Sequence, residues 1–389
     1  MQYYFIKDQQ HNYDIRNYSK VMSTVGIFDA DLLDRGTRFP NLALMKISGY
    51  HKEIGDSVIL IDSYDNVPTC DKYYISKVFN YTHVPEEILD LPNITIGGTG
   101  FFEDGGCSLP HDIEHHMPDY SLYNEFVSTQ IEKGLKEVRY DHYLHCSIGF
   151  TTRGCFRKCE FCVNKKYDRP FKHSPLEEFY DENRRFICLL DDNILAFRDW
   201  EEIFDELIST GKRFQFKQGL DIRLLTEKKA EKLAQCHYHG DYIFAFDHIE
   251  DKELIEKRLK IWRKHSKKST KLYVLCAYSS QDAKDIENTF ERIRILMKYG
   301  CLPYVMRYNA YLDSKYKSLY TSISRWCNQP RIFKKMSFRT FCLEHQKMRK
   351  NQDTLCATYK AMLDFEMEHP DIAKKYFDLE FGKENKYSK

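Results

Sequence analysis

Cys155, Cys159 and Cys162 stand in a C-x3-C-x2-C spacing on one short stretch, Gly-Phe-Thr-Thr-Arg-Gly-Cys-Phe-Arg-Lys-Cys-Glu-Phe-Cys, which runs from Gly149 to Cys162. Thiolates are soft donors and select zinc, copper(I) or iron–sulfur clusters. Three of them leave one iron of a four-iron cluster without a protein ligand, and an open coordination position is where chemistry can occur. A structural zinc site needs a fourth donor, for which Cys146, His142, His145 and His173 are the candidates.

The elements that must position this loop are regular. From Ser147 onward, short apolar runs alternate with amphipathic stretches. The strands are expected at 147–151, 186–190, 213–216, 242–246, 272–278 and 302–308. Ser174-Pro175-Leu176-Glu177 has the form of a capping box with proline at the first helical position and predicts a helix to about Arg184. Asp199 with Glu202 is expected to cap the next helix, and Thr226 the one after. Six strand–helix units of this kind close into a parallel (βα)6 partial TIM barrel over 146–315, whose active site lies at the carboxyl ends of the strands. Polar residues at those ends are the functional candidates: Asp191, Asp192 and Asn193; Gln218, Asp221 and Arg223; Asp247 and His248; Arg307 and Asn309.

Residues 21–105 alternate in the same way, with strands at 24–29, 57–63, 72–79 and 93–96 and a helix over 41–52. They predict an α/β domain of flavodoxin-like or Rossmann-like type. Gly97-Gly98-Thr99-Gly100 follows its last strand; it lacks the G-x-G-x-x-G form of a dinucleotide site and reads as a tight turn or domain contact. Residues 1–20 are unassigned, 106–145 read as an irregular linker, and 316–389 as a helical C-terminal region. His111, His115 and His116 sit with Asp112 and Glu114 in the linker without a known ligand spacing, which favours a solvated loop over a second metal. Arg325-Trp326-Cys327-Asn328 is a candidate lid or substrate wall.

The cysteine loop, with Phe161 just before the last Cys, resembles that of the radical S-adenosylmethionine (SAM) superfamily, and Arg153-Gly154 and Val163 resemble its branch with an N-terminal cobalamin-binding-like domain. The resemblance implies one [4Fe-4S] cluster held by Cys155, Cys159 and Cys162, with SAM chelated through its amino and carboxylate groups to the fourth iron. It implies cofactor contacts from Phe161, from Asp191 or Asp192 on the SAM amino group, and from Gln218, Asp221 and Arg223 on ribose and carboxylate. Cobalamin is a possible further cofactor, but Asp29, Asp31 and His51 do not complete the D-x-H-x-x-G motif that supplies an axial histidine. A cobalamin-dependent radical SAM methyltransferase and a non-catalytic zinc or iron–sulfur scaffold remain the alternatives.

Composition narrows the partners. Of 389 residues, 59 are Lys or Arg and 58 Asp or Glu; the net charge of +1 supplies no global field toward nucleic acid or an anionic membrane. A small-molecule or peptide substrate is expected, with an electron donor such as flavodoxin or ferredoxin. The basic stretch Lys257–Lys271 reads as the solvated face of a helix. Thirteen cysteines, ten of them scattered singly, do not form a disulfide framework, and no apolar run reaches membrane-spanning length. A reducing, cytoplasmic location is the expectation. The dispersed Cys327, Cys342 and Cys356 predict no auxiliary cluster.

Overall fold

The computed structural model describes residues 22–36, 39–103, 105–164, 166–349 and 353–387; the unassigned segment 1–20 lies outside them. Four parallel strands form the first sheet: β1 (Thr24–Asp29), β2 (Ser57–Leu60), β3 (Lys72–Ser76) and β4 (Ile94–Gly97). Their order is β2-β1-β3-β4, the flavodoxin-like order, with its switch point between β1 and β3. Helices α1 (Ala30–Arg35), α2 (Leu42–Glu53) and α3 (Glu86–Leu89) connect them. Asn41 caps α2 by accepting from the Leu44 N–H, and Leu44, Met45 and Ile47 are buried with Val25 and Ile27 of β1. Gly98 and Gly100 serve close packing. A Cβ on Gly98 would lie 2.2 Å from the Lys77 carbonyl oxygen, and one on Gly100 would lie 2.6 Å from that of Phe79.

Residues 106–145 are not an irregular linker. They carry α4 (His111–Glu114), α5 (Asn124–Glu132) and α6 (Asp141–Leu144), and they bury Ile113, Tyr123, Val127, Tyr140 and Tyr143 in the core of the first sheet. Tyr123 ties the two together, since its hydroxyl donates to Asp29 (2.8 Å) and accepts from the Asn41 N–H (3.1 Å).

Six further parallel strands follow in chain order: β5 (Cys146–Gly149), β8 (Phe186–Leu189), β9 (Arg213–Phe216), β10 (Tyr242–Ala245), β11 (Thr270–Cys276) and β12 (Leu302–Arg307), while β6 (Thr152–Arg153) and β7 (Phe171–Lys172) form a small antiparallel pair around the cysteine loop. Parallel bridges Phe214↔Tyr238 and Leu220↔Phe244 join the two three-stranded halves. This is the partial barrel. Helices α7 (Trp200–Ser209), α8 (Glu227–Gln235), α9 (Lys252–His265) and α10 (Ala283–Lys298) cover its outside. Ile203, Phe204, Leu207, Leu233, Leu259 and Phe290 lie in one core with the outward-facing strand residues.

Four local expectations are corrected. The segment after Pro175 is one 3-10 turn, Leu176–Glu178, not a helix to Arg184. Hydrogen bonds made by Asp181 and Arg184 compete with the helix: the Asp181 N–H donates to Ser147, and the Arg184 guanidinium donates to the carbonyls of Tyr120, Tyr143 and Cys146. Asp199 pairs with Arg198 and does not cap α7, whereas Thr226 caps α8 as expected. Trp326, in α11 (Lys317–Cys327), is no lid: it is fully buried against Phe333 and Phe338 and donates to the Met336 carbonyl. In the basic stretch, Arg263 is buried and donates to the carbonyls of Tyr299, Ser266, Lys268 and Gly300.

The chain ends in α12 (Pro330–Phe333), α13 (Phe338–Lys347), α14 (Ala357–Glu368), α15 (Pro370–Tyr376) and α16 (Phe381–Glu384). Met362, Phe365, Tyr376 and Phe377 join the barrel's outer core, so this region extends the domain.

Candidate cluster-binding site

The inner face of the barrel is closed on one side and open on the other. Phe39 and Leu42 from the first domain pack with Cys146, Ile148, Phe186 and Cys188 of β5 and β8. On the far side Tyr273 of β11 meets Tyr304 of β12 edge to face at 5.7 Å, and Tyr304 and Met306 are each 42% exposed on the last strand. The cysteine loop spans the carboxyl mouth between these two sides. Phe161 packs on Tyr278, after β11, at 5.5 Å and on His248, after β10, at 5.9 Å. Beside it a small cavity of about 80 Å3 is lined by Asp247, His248, Leu275, Tyr278 and Arg292.

Backbone geometry fixes the loop's entry. Gly154 has φ +95°, and a Cβ there would lie 2.4 Å from the Arg169 carbonyl oxygen, so only glycine can precede Cys155 in this turn. All three cysteines are partly exposed. Two receive backbone N–H groups: Arg157 donates to Cys155 Sγ and Asn164 to Cys162 Sγ, each at 3.4 Å. Such bonds suit a thiolate, which only accepts. Burial raises the pKa of the Cys159 thiol, and the nearby Arg223 charge opposes that rise. Among the described residues, no three His, Cys, Asp or Glu side chains converge so as to hold a single metal ion. The donor set is three separate thiols with no fourth donor beside them among the described residues, which suits a multinuclear cluster better than the four-donor cage of structural zinc.

The polar residues after β8 divide their contacts. Both oxygens of the fully buried Asp191 are engaged: Oδ1 accepts the Thr151 hydroxyl (2.6 Å) and both the N–H (2.6 Å) and hydroxyl (2.7 Å) of Thr152, and Oδ2 the Thr151 N–H (3.1 Å). Burial nevertheless raises its pKa to about 6. Asp192 clips the two ends of the cysteine loop together, accepting from the Gly154 N–H (2.6 Å) and from Asn164 Nδ2 (2.7 Å). Asn193 donates from Nδ2 to Cys155 Sγ at 3.3 Å. After β9, Asp221 is buried between two guanidinium groups, Arg157 Nε at 2.5 Å and Arg223 Nε at 2.7 Å, and Arg223 also reaches Asp251 at 2.9 Å. Gln218 is exposed on the loop between β9 and β10.

Of the site residues expected from sequence, the structure thus gathers Phe161, Asp192, Asp221 and Arg223 around the three cysteines. It directs Asp191 to the strand end. Arg157 and Asn164 were not singled out as site residues; Asn193 was a candidate through its place after a strand that ends in two carboxylates. Two of the linker histidines stay together and one parts from them: the exposed His111 lies 4.5 Å from His115, which pairs with Glu178 (2.7 Å) and stacks on His173, whereas His116 pairs with Glu53. His51 is buried with both ring nitrogens engaged, one by Asp56 (2.7 Å) and the other by the Tyr74 hydroxyl (3.0 Å).

No protein-family model and no curated protein sequence matches the chain. Solved structures do. A structure titled as the radical S-adenosylmethionine methyltransferase TsrM from Kitasatospora setae with cobalamin and [4Fe-4S] cluster bound is similar with a TM-score of 0.50 at 11% identity, over 74% of this chain and 75% of that one. The same enzyme with tryptophan substrate and the SAM analogue aza-SAM gives a TM-score of 0.50 at 12% identity, over 72% of each chain. The fold of the chain is thus similar to that of TsrM over about three quarters of its length. In this chain the flavodoxin-like sheet precedes the partial barrel, in the order expected from the sequence. Among the described residues no helix is long and apolar enough to cross a membrane.

Proposed function

We propose that the chain is a radical SAM enzyme in which Cys155, Cys159 and Cys162 hold a [4Fe-4S] cluster. The observation that carries this reading is the placement of three thiols, with no fourth donor among the described residues, at the carboxyl mouth of a partial barrel whose fold is similar to that of TsrM. When bound, such a cluster supplies one electron to the sulfonium of SAM, yielding methionine and a 5′-deoxyadenosyl radical. The protein's own residues do the positioning. Asp192 holds the loop ends together, and Asp191 fixes the strand that leads into the loop. Phe161 excludes water on the side of Tyr278, and Arg223, braced by Asp221 and Asp251, offers a guanidinium for the SAM carboxylate. A small-molecule or peptide substrate would enter along the open face of Tyr273, Tyr304 and Met306, and a flavodoxin- or ferredoxin-type donor would deliver the electron.

Anaerobic purification and reconstitution test this. A brown protein that releases 5′-deoxyadenosine with dithionite supports the reading; a colourless, zinc-loaded protein that never cleaves SAM supports the scaffold alternative and ends it.

A second reading, cobalamin-dependent methyl transfer, is favoured by the β2-β1-β3-β4 sheet beside the barrel and by the cobalamin and methyltransferase activity named for TsrM. His51 is engaged on both ring nitrogens and so offers cobalamin no free imidazole nitrogen. Equilibrium dialysis with hydroxocobalamin and transfer of a deuterated methyl group from SAM distinguish the two: retention without methyl transfer leaves only the first reading.

A further inference from the structure

We infer that the arm 163–172, which follows the cysteine loop, is the docking face for an acidic one-electron carrier protein. The electron enters the cluster from the side of the loop that faces away from the barrel mouth. This rests on the radical SAM reading above. Residues 153–172 carry seven Lys or Arg and two Asp or Glu, in a chain whose net charge is only +1. Arg153 and Arg157 turn inward, toward Glu114 (3.9 Å) and Asp221. Lys158, Lys166, Arg169 and Lys172 stay at the surface. Asp168 pairs with Lys158, and Lys166 Nζ donates to the Ser108 hydroxyl (2.6 Å), whereas Arg169 and Lys172 make no side-chain ion pair among the described residues. Apolar side chains stand exposed among these cations: Val163 by 52%, Phe156 by 44% and Phe171 by 37%.

An apolar centre with a polar rim is the anatomy of a protein–protein contact, and a positive rim selects an acidic partner. A single-stranded nucleic acid would need open ring faces to stack on. Here the Arg157 guanidinium lies 4.8 Å from the centre of the Phe156 ring, and Tyr167 meets Phe171 edge to face at 4.9 Å. Position ties the arm to the cluster. A Cβ on Gly154 would meet the Arg169 carbonyl oxygen and Tyr167 Cβ, so the arm lies directly behind the residue that precedes Cys155. The β6–β7 pair sets Phe171 opposite Arg153, and Lys158 Nζ reaches the Tyr167 carbonyl at 3.5 Å. On its other side the loop meets Tyr278 and His248 at the barrel mouth, where SAM and substrate would lie. A carrier protein therefore approaches from outside. In the encounter one electron leaves the reduced carrier, which is oxidised by one equivalent, and the cluster is reduced by one; no bond is made or broken. Such contacts are small and transient, so charge acts mainly on the association rate, raising it by roughly ten- to a thousandfold at low salt.

The test is anaerobic stopped-flow reduction of the reconstituted chain by photoreduced flavodoxin, an acidic carrier, and by reduced methyl viologen, a small cation, each followed by the cluster's visible absorbance. Flavodoxin should reduce the wild type about tenfold faster at low salt than at about 0.5 M NaCl. The pair Arg169→Glu and Lys172→Glu should slow flavodoxin about tenfold at low salt and remove most of the salt dependence, without lowering iron content or the viologen rate. Lys257→Glu with Lys260→Glu, exposed on α9, makes the same change in net charge on another surface and should keep the wild-type rate. If the arm reversal assembles no cluster, Arg169→Gln with Lys172→Gln carries the test, with a slowing of about threefold. Flavodoxin rates equal in the wild type and the arm variants, an equal loss in the α9 pair, or a wild-type cluster that viologen reduces and flavodoxin does not would each overturn the inference. Binding of a single-stranded RNA oligonucleotide to the wild type but not to the arm variants, with flavodoxin rates equal, would assign the face to nucleic acid instead. Failure of the wild type to assemble a cluster that viologen reduces would overturn the radical SAM reading itself.

Discussion

Asp191 gives the sharpest test of how the loop is held, because two properties of one carboxylate oppose each other. It accepts four hydrogen bonds from Thr151 and Thr152, and burial raises its pKa from 3.8 to about 6. Since the native pKa lies above the unfolded one, the native state holds the proton more tightly between about pH 4 and pH 6, and this group's contribution to stability declines as pH rises through that window. A difference of a little over two pH units, at about 1.4 kcal/mol each, makes that decline about 3 kcal/mol. Neither Asp191→Asn nor Asp191→Ala titrates, so each variant should gain on the wild type by up to that amount between pH 4 and pH 7. The raised pKa of Asp29 cancels in this comparison, being present in all three proteins. The two variants should also differ from each other. Asn can keep its oxygen where Thr152 and both hydroxyls converge and lose only the Thr151 N–H, whereas Ala orphans both backbone N–H groups and should be less stable than Asn by about 1–3 kcal/mol at every pH. Urea unfolding of the apoprotein at pH 4, 5, 6 and 7 measures both quantities. A stability difference between Asn and wild type that is the same at pH 4 and pH 7, or an Ala variant no worse than Asn, would refute the reasoning.

Other outcomes follow from single contacts. Cys159→Ala should abolish iron incorporation on reconstitution while leaving the far-UV circular dichroism unchanged; full iron content would rule out its role as a ligand. Gly98→Ala puts a methyl 2.2 Å from the Lys77 carbonyl oxygen at φ +100° and should destabilise the first domain by about 1–3 kcal/mol in thermal unfolding. Asp29→Asn removes a carboxyl whose pKa burial raises from 3.8 to about 7; it should stabilise the protein at pH 8, and the gain should shrink as pH falls and vanish only below the unfolded value, near pH 3, where Asp29 holds its proton in both states. Trp326→Ala should cost about 3–5 kcal/mol in denaturant unfolding, yet leave iron bound per folded molecule unchanged, because Trp326 packs in the outer core and not at the barrel mouth.

The parts of this architecture that could be read from the sequence were those with a local physical signature. The barrel strands are short apolar runs between turn residues, and the three thiols define their own chemistry by spacing. Residues 106–145 hid their order because their core is built from tyrosines; Tyr123, Tyr140 and Tyr143 bury rings without helical periodicity and carry hydroxyls that look solvated in a list. The capping box at Ser174 was legible but outcompeted, since Asp181 and Arg184 find stronger partners on residues roughly 34 to 64 positions earlier in the chain. The same distance problem governs the site. Asp191, Asp192 and Asn193 are three consecutive polar residues at one strand end, and nothing in their order says which faces a ligand. The loop from Thr151 to Asn164 decides it: Asp191 meets the threonines that start the loop, Asp192 closes its two ends, and Asn193 alone reaches a cysteine sulfur. The one of these side-chain oxygens without any hydrogen-bond partner is therefore the neutral amide's, an arrangement that follows only once a segment some 40 residues earlier has been laid across the strand end.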